Sequence, residues 1–249
     1  MERLTILGSA FAVANQYQEN AYLLLQTDSH NLLIDCGNNP VGKLQQVGVA
    51  INDITDLILT HAHVDHMGAL PLLLMDMWIE KRQKPLNIFG LAFTLDKAKA
   101  LLAIFNWESW TGMFPVNFHV VSDSHAENII VASDVKVMVS PVNHQVPNIG
   151  IRMNALHSQK IFVYSCDTEP CKNLEELSLG ADLLIQEAAG PSAGHTSPEQ
   201  AGIMARNAGV KQLVLIHYNS GRPESELISE VKKNFNGNVV LAKDLLFFE

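Results

Sequence analysis

Thr60-His61-Ala62-His63-Val64-Asp65-His66 gathers three imidazoles and a carboxylate into one short stretch. It follows an apolar run, Asp56 to Thr60, that reads as a buried strand. In extended backbone, residues two apart point to the same side, so His61 and His63 can converge on one ion. Asp65 and His66 are adjacent, point elsewhere and can serve a second ion. Imidazole and carboxylate are ligands that suit zinc, manganese or iron. A turn with only a structural duty would be poorly served by this composition.

Four further residues stand just beyond apolar runs or in a loop that follows one. His144 comes after Val135–Ser140, Asp167 after Ile161–Ser165 and His217 after Leu213–Ile216, while His195 lies in a glycine-containing loop. Taken singly, each reads as an ordinary strand-end or surface residue. Taken together, they supply the ligands that the first cluster lacks.

The elements that must position these groups can be read from periodicity. Strands are expected at Leu4–Leu7, Ala21–Gln26 and Asn31–Asp35, a helix at Val41–Val47, and the strand Asp56–Thr60. Helices follow at Gly68–Lys81 and Thr94–Phe105. The middle is strand-rich, with Asn117–Val121, Asn128–Val131, Val135–Ser140, Asn148–Met153 and Lys160–Ser165. The last part alternates: strand Asp182–Ile185, helix Ser197–Ala208, strand Gln212–Ile216 and helix Pro223–Phe235. Ser197-Pro198 opens its helix with a capping serine and a proline in the first turn. The two halves look alike, which predicts an α/β fold with two sheets packed together and helices outside, an αββα sandwich. No linker interrupts residues 1–249, and one domain is expected.

The bulk numbers bound the function. Apolar residues make up 47% of the 249 and charged residues 17%, enough for a buried core. A net charge of −9 argues against a broad basic face for nucleic acid, although bound dications can make one cleft positive. Cys36, Cys166 and Cys171 are sparse and irregularly spaced, which fits free thiols in a reducing cytoplasm. No signal-peptide architecture opens the sequence and no apolar run reaches membrane-spanning length. A cytoplasmic location without membrane contact is the expectation.

His61-Ala62-His63-Val64-Asp65-His66 resembles the HxHxDH signature of the metallo-β-lactamase superfamily, and the later His, Asp and His follow in that superfamily's order. The resemblance implies a four-layer αββα sandwich of the metallo-β-lactamase type. It implies that His61, His63 and His144 bind one divalent metal, that Asp65, His66 and His217 bind another, and that Asp167 bridges them. The ions would be zinc, with manganese or iron as alternatives. A closer likeness is to the RNase Z and arylsulfatase-like branch. Gln186-Glu187-Ala188-Ala189 sits where RNase Z enzymes carry HEAT, and Gly194-His195-Thr196-Ser197 resembles their HST segment. That likeness implies Glu187 orienting His195, with Asp65, His195 and Glu187 as the catalytic set.

This chain also departs from the branch. HEAT is reduced to QEAA, Ile151 replaces the tyrosine of a Gly-Tyr-Arg segment, and no PxKxRN-like loop is present. The interval from Arg152 to Lys160 leaves no room for the tRNA-gripping arm, which argues against tRNA 3′-processing. The first expectation is therefore a dinuclear, metal-dependent phosphodiesterase acting on small or nucleotide phosphodiesters, a small anionic ester substrate. Hydrolysis of another ester (arylsulfate, lactone or thioester) is the alternative, and a non-catalytic metal-binding module stands third. Trp78, Trp107, Trp110 and Phe114 either line a substrate pocket or pack in the core. Arg222 either holds an anionic group or starts the last helix. The apolar Phe105–Phe114 stretch and the family likeness make a homodimer plausible.

Overall fold

A computed structural model describes residues 2–249, so Met1 of the start discussed above lies outside the described residues. The first sheet consists of β1 (Arg3–Gly8), β2 (Tyr22–Gln26), β3 (Asn31–Ile34), β4 (Asp56–Ile58), β5 (Leu86–Leu91) and β6 (Val116–Val121). The second consists of β7 (Glu127–Val131), β8 (Val135–Val142), β9 (Asn148–Ala155), β10 (Lys160–Tyr164), β11 (Leu183–Glu187), β12 (Gln212–Ile216) and β13 (Asn238–Leu241). The last strand, β14 (Leu246–Phe248), returns to the first sheet beside β1. The orders are β14-β1-β2-β3-β4-β5-β6 and β13-β12-β11-β10-β9-β8-β7. Each sheet begins antiparallel and turns parallel, at β3–β4 in the first and β10–β11 in the second.

Parallel neighbours need long crossovers, and helices provide them. Packed on the first sheet are α1 (Val41–Gln46), a single turn α2 (Val64–Met67), α3 (Leu70–Ile79) and α4 (Ala92–Ala103). On the second lie α5 (Lys172–Ser178), α6 (Pro198–Asn207) and α7 (Glu224–Lys232). The period-2 alternation of strands explains the layering: Leu23 and Leu25 enter the inter-sheet core with Val137, Ile151 and Ile185, while Leu24 meets the outer layer with Leu73 and Leu95. On the second sheet Leu184 and Leu213 pack outward against Met204 and Leu227. Helix, sheet, sheet and helix make the αββα sandwich that the sequence predicts.

Several boundaries differ. The helix expected at Gly68–Lys81 is Leu70–Ile79, and the turn α2 before it carries Asp65 and His66. The helix expected at Thr94–Phe105 starts at Ala92. β5 went unread because Leu86–Leu91 runs into α4 with no turn residue between them and no side-chain cap on the helix. β13, β14 and α5 are also additions, each short and set by its neighbours.

Of the four aromatics, Phe114 is buried, Trp78, Trp107 and Trp110 are partly buried, and Trp107 also lines a surface cavity with Lys99, Asn106 and Phe118. Trp78 donates from Nε1 to the Thr111 carbonyl at 3.0 Å and its ring lies 5.3 Å from that of Trp110. Phe114 is buried beneath the Arg82 guanidinium, and all four aromatics pack on the outer layer of the first sheet. Arg222 is likewise engaged within the protein: Nη2 meets Glu230 Oε1 at 2.5 Å and Glu226 Oε2 at 3.7 Å. It braces α7 and is not a free anion receptor. The cysteines are unpaired, as expected. Among the described residues, no helix is long and apolar enough to cross a membrane.

Candidate functional site

In open α/β sheets the carboxyl ends of parallel strands face one edge, where ligands gather. Here β3 delivers Asp35, β4 delivers His61, β10 delivers Asp167, β11 ends on Glu187, and β12 delivers His217. The loop after β8 adds His144 from the antiparallel part. Asp35, Cys166 and His217 all have positive φ, at 64°, 52° and 53°. A non-glycine residue in that region costs about 1–3 kcal/mol and persists where the surroundings fix it. In each case the turn ends a buried strand and redirects the chain at the site.

His61 Nε2 stands 3.0 Å from His63 Nδ1, and His144 Nε2 stands 3.1 Å from that same atom. Around a tetrahedral ion with metal–nitrogen distances of about 2.0–2.1 Å, neighbouring nitrogens are separated by about 3.3 Å. Three imidazoles at this spacing form one natural receptor. A second lies beside it. Asp65 Oδ2 is 3.6 Å from His66 Nε2 and 3.8 Å from His217 Nε2. Asp167 lies between the groups, with Oδ1 3.6 Å from His66 Nε2 and Oδ2 3.4 Å from His217 Nε2.

The fit of these residues to divalent metal is visible in what they lack. His66 Nε2, Asp167 Oδ1 and His217 Nε2 are buried and have no hydrogen-bond partner. Buried polar atoms are rarely left in that state, and these three converge on one another. Burial drives the His61 imidazole well below its ordinary pKa, which keeps a lone pair available. Burial also opposes charge on His66 and Asp167. The carboxylates of Asp167 and Asp35 nevertheless hold His66 well above the usual range, and His217 and His66 hold Asp167 well below its own. Buried negative charge thus gathers at a point where a cation would offset it.

A shell of partners sets the orientation of these side chains. Asp35, buried, accepts from His66 Nδ1 at 2.8 Å, from the Thr60 backbone N–H at 2.8 Å and from Thr60 Oγ1 at 2.8 Å. Thr60 Oγ1 lies 3.1 Å from His61 Nδ1, so Asp35 reaches His66 directly and His61 through Thr60. His144 Nδ1 donates to the Gly194 carbonyl at 2.7 Å. Each contact occupies one ring nitrogen and leaves the other for a metal. Asp35 was missed as a site residue in the sequence reading. The signal was an aspartate closing an apolar strand just before Cys36-Gly37, at the same kind of place as the other candidates.

His195 occupies the rim. Its Nδ1 is 3.0 Å from Glu187 Oε1, and that carboxylate also accepts the backbone N–H groups of Thr168, Thr196 and Ala189 at 3.1, 3.0 and 2.8 Å. The hydrogen bond to Glu187 raises the His195 pKa, against the effect of burial. Burial raises Glu187 itself, and the bond from His195 opposes this. Helix capping is done by Ser197, whose side chain accepts from Gln200 N in a reciprocal capping box, so His195 is not the cap. The His195 ring stacks on His217 with centroids 5.8 Å apart, and a ring nitrogen of His195 lies near a carboxylate oxygen of Asp167 and a ring nitrogen of His217. The structure therefore brings together all nine candidates: His61, His63, Asp65, His66, His144, Asp167, Glu187, His195 and His217.

The chain is similar to known proteins in sequence and in fold. A ribonuclease Z from Mycobacterium sp. (strain KMS) is 31% identical over 245 residues, covering 88% of this chain and 84% of that protein. The solved structure of the metallo-β-lactamase fold protein YhfI from Bacillus subtilis superposes with a TM-score of 0.83 at 23% identity, over 99% of this chain and 98% of that one. The short form of human tRNase Z superposes with a TM-score of 0.79 at 20% identity, again over 99% and 98%. Residues 3–241 match the family described as Anti-Pycsar protein Apyc1, and the chain belongs to that family, an RNase Z-like metal-dependent hydrolase with the metallo-β-lactamase fold.

Proposed function

We propose that this hydrolase is a dinuclear phosphodiesterase acting on small or nucleotide phosphodiesters. The observation that carries the reading is the convergence of buried, unpartnered His66 Nε2, Asp167 Oδ1 and His217 Nε2 beside the His61–His63–His144 triad and the Glu187–His195 pair. His61, His63 and His144 would hold one divalent ion, Asp65, His66 and His217 the other, and Asp167 both. Imidazole and carboxylate favour zinc, with manganese or iron as alternatives. When bound, the ions supply an activated water and polarise the phosphoryl oxygens.

The chain's own residues do the rest. Asp65, partly open to the cleft, orients the attacking water and accepts its proton through the carboxylate oxygen not turned to His66 and His217. The water oxygen bonds to phosphorus as the bond to the leaving oxygen breaks. His195, held by Glu187 through Nδ1, donates the proton on Nε2 to that oxygen. The hydrogen bond to Glu187 raises the His195 pKa and so favours the protonated form. The products are a phosphomonoester and an alcohol. Small substrates are favoured because β9 and β10 are joined by a turn of residues 156–159 with no arm to grip a large RNA.

The test is hydrolysis of bis(p-nitrophenyl) phosphate by protein reconstituted with zinc or manganese, with Asp65→Ala as blank. p-Nitrophenyl sulfate, a lactone, a thioester and a precursor tRNA serve as comparison substrates. Metal-dependent cleavage of the phosphodiester, absent from the variant and exceeding cleavage of the others, is expected. Metal-loaded protein that leaves the phosphodiester intact while cleaving a sulfate, lactone or thioester would overturn the assignment.

A further inference from the structure

His144 and His195 come from different parts of the chain, yet the 190–196 loop carries the second and touches the first. Pro191, Ser192 and Ala193 are exposed, so little packing holds this loop in place. It is held by hydrogen bonds on Gly194 and its neighbours. The Gly194 N–H donates to Glu169 Oε1 at 2.8 Å, and the Ala193 carbonyl accepts from Gln145 Nε2 at 3.1 Å. The Gly194 carbonyl accepts from His144 Nδ1 at 2.7 Å, and the His195 N–H donates to the Ser192 carbonyl at 3.0 Å. Both peptide groups flanking Gly194 are therefore satisfied at both ends. Among those four contacts, only the one to Glu169 involves a carboxylate, and such bonds are the stronger kind.

Glu169 is itself well fixed. Its backbone N–H donates to the Asn143 carbonyl at 2.8 Å, directly beside His144, and its carbonyl accepts from Thr168 Oγ1 at 2.7 Å. Position 194 admits only glycine: φ is +83°, and a Cβ there would meet His144 Nδ1 at 2.9 Å. Glu187 anchors the His195 and Thr196 end of the loop, whereas Gly194, with no side chain of its own, is held against the His144 imidazole through its backbone N–H and its neighbour's carbonyl.

We infer that Glu169 is a positioning residue for the reaction: by holding Gly194, it orients His144 towards the metal cluster. This rests on the proposed metal centre. Partners that orient ligating histidines contribute about 10–100-fold in metal affinity, and Glu169 acts one bond further out, so about tenfold is expected.

The experiment compares wild type, Glu169→Ala, Glu169→Gln and His63→Ala by zinc competition with a chromophoric chelator, alongside melting of the metal-free proteins. Glu169→Ala should bind zinc about tenfold more weakly and, at saturating zinc, lower kcat more than it changes KM. Glu169→Gln, whose Oε1 still accepts the Gly194 N–H but without the charge, should lie between wild type and the alanine variant in both. Wild-type zinc affinity in Glu169→Ala, or a Glu169→Gln protein as impaired as the alanine variant, overturns the inference. A fall in metal-free melting with no change in zinc affinity also overturns it, since that is what mere scaffolding would give. Failure of the metal-centre reading looks different: His63→Ala would then bind zinc as tightly as wild type.

Discussion

Asp35→Asn isolates the contribution of a residue that touches no substrate. Asp35 accepts three donors at 2.8 Å, from His66 Nδ1, Thr60 N and Thr60 Oγ1. An asparagine of nearly the same shape keeps one acceptor, which the Thr60 donors claim. Its amide N–H₂ then faces His66 Nδ1, which is already a donor. The imidazole must move its proton to Nε2, the nitrogen that faces Asp65 and Asp167, or lose its partner. Either outcome removes a hydrogen bond to a charged acceptor, about 1.5–3 kcal/mol, which is about 10–150-fold in binding. The loss should fall on the ion held by Asp65, His66 and His217, leaving the His61–His63–His144 ion largely unaffected. Stepwise zinc titration by calorimetry should show one weakened event and one preserved. Two events unchanged from wild type would refute the claim that Asp35 sets the His66 tautomer. Equal weakening of both would show that the effect spreads through Thr60 to His61.

Other perturbations probe different parts of the design. Gly37→Ala places a Cβ 1.6 Å from the Asp65 carbonyl oxygen, a backbone clash that should cost about 3 kcal/mol or more in a denaturant melt, whereas Gly42→Ala meets nothing within 4 Å and should be neutral or stabilising. His195→Ala should cut kcat by about 10²–10⁴-fold with metal content unchanged, and Glu187→Gln should follow it; metal loss equal to that of His63→Ala would make His195 a ligand instead. Asp134 is buried, which raises its pKa, but hydrogen bonds from Thr27, Ser29 and His30 lower it from 3.8 to about 2. Because the folded value is depressed, its stabilisation is present above pH about 4 and lost as pH falls towards 2. It amounts to about 2 kcal/mol, so Asp134→Asn should lower stability at neutral pH by that amount and flatten the acid limb of the curve.

The HxHxDH stretch and its neighbours were legible because local spacing sets side-chain direction. His61 and His63 leave extended backbone on one side, and that relation survives in the 3.0 Å between their nitrogens. The alternation that buries Leu23 and Leu25 on one face and Leu24 on the other is equally local, and it predicts two sheets with helices outside. Ser197 and Pro198 announced α6 for the same reason: capping is a matter of adjacent residues.

The tertiary structure decided what depends on residues far apart in the chain. His144 meets His63 across 81 positions and Asp35 meets His66 across 31, distances that only the closing of two sheets can bridge. β14 is three residues long, with no pattern of its own, and exists because β1 offers an edge. Arg222 and the tryptophans have types suited to binding, but their partners at Glu230 and in the outer layer occupy them. Glu169 carries no motif at all. Its meaning comes from the Gly194 N–H placed against it by a loop 25 residues away. A short-range pattern determines which way a side chain points, while packing determines what it meets there.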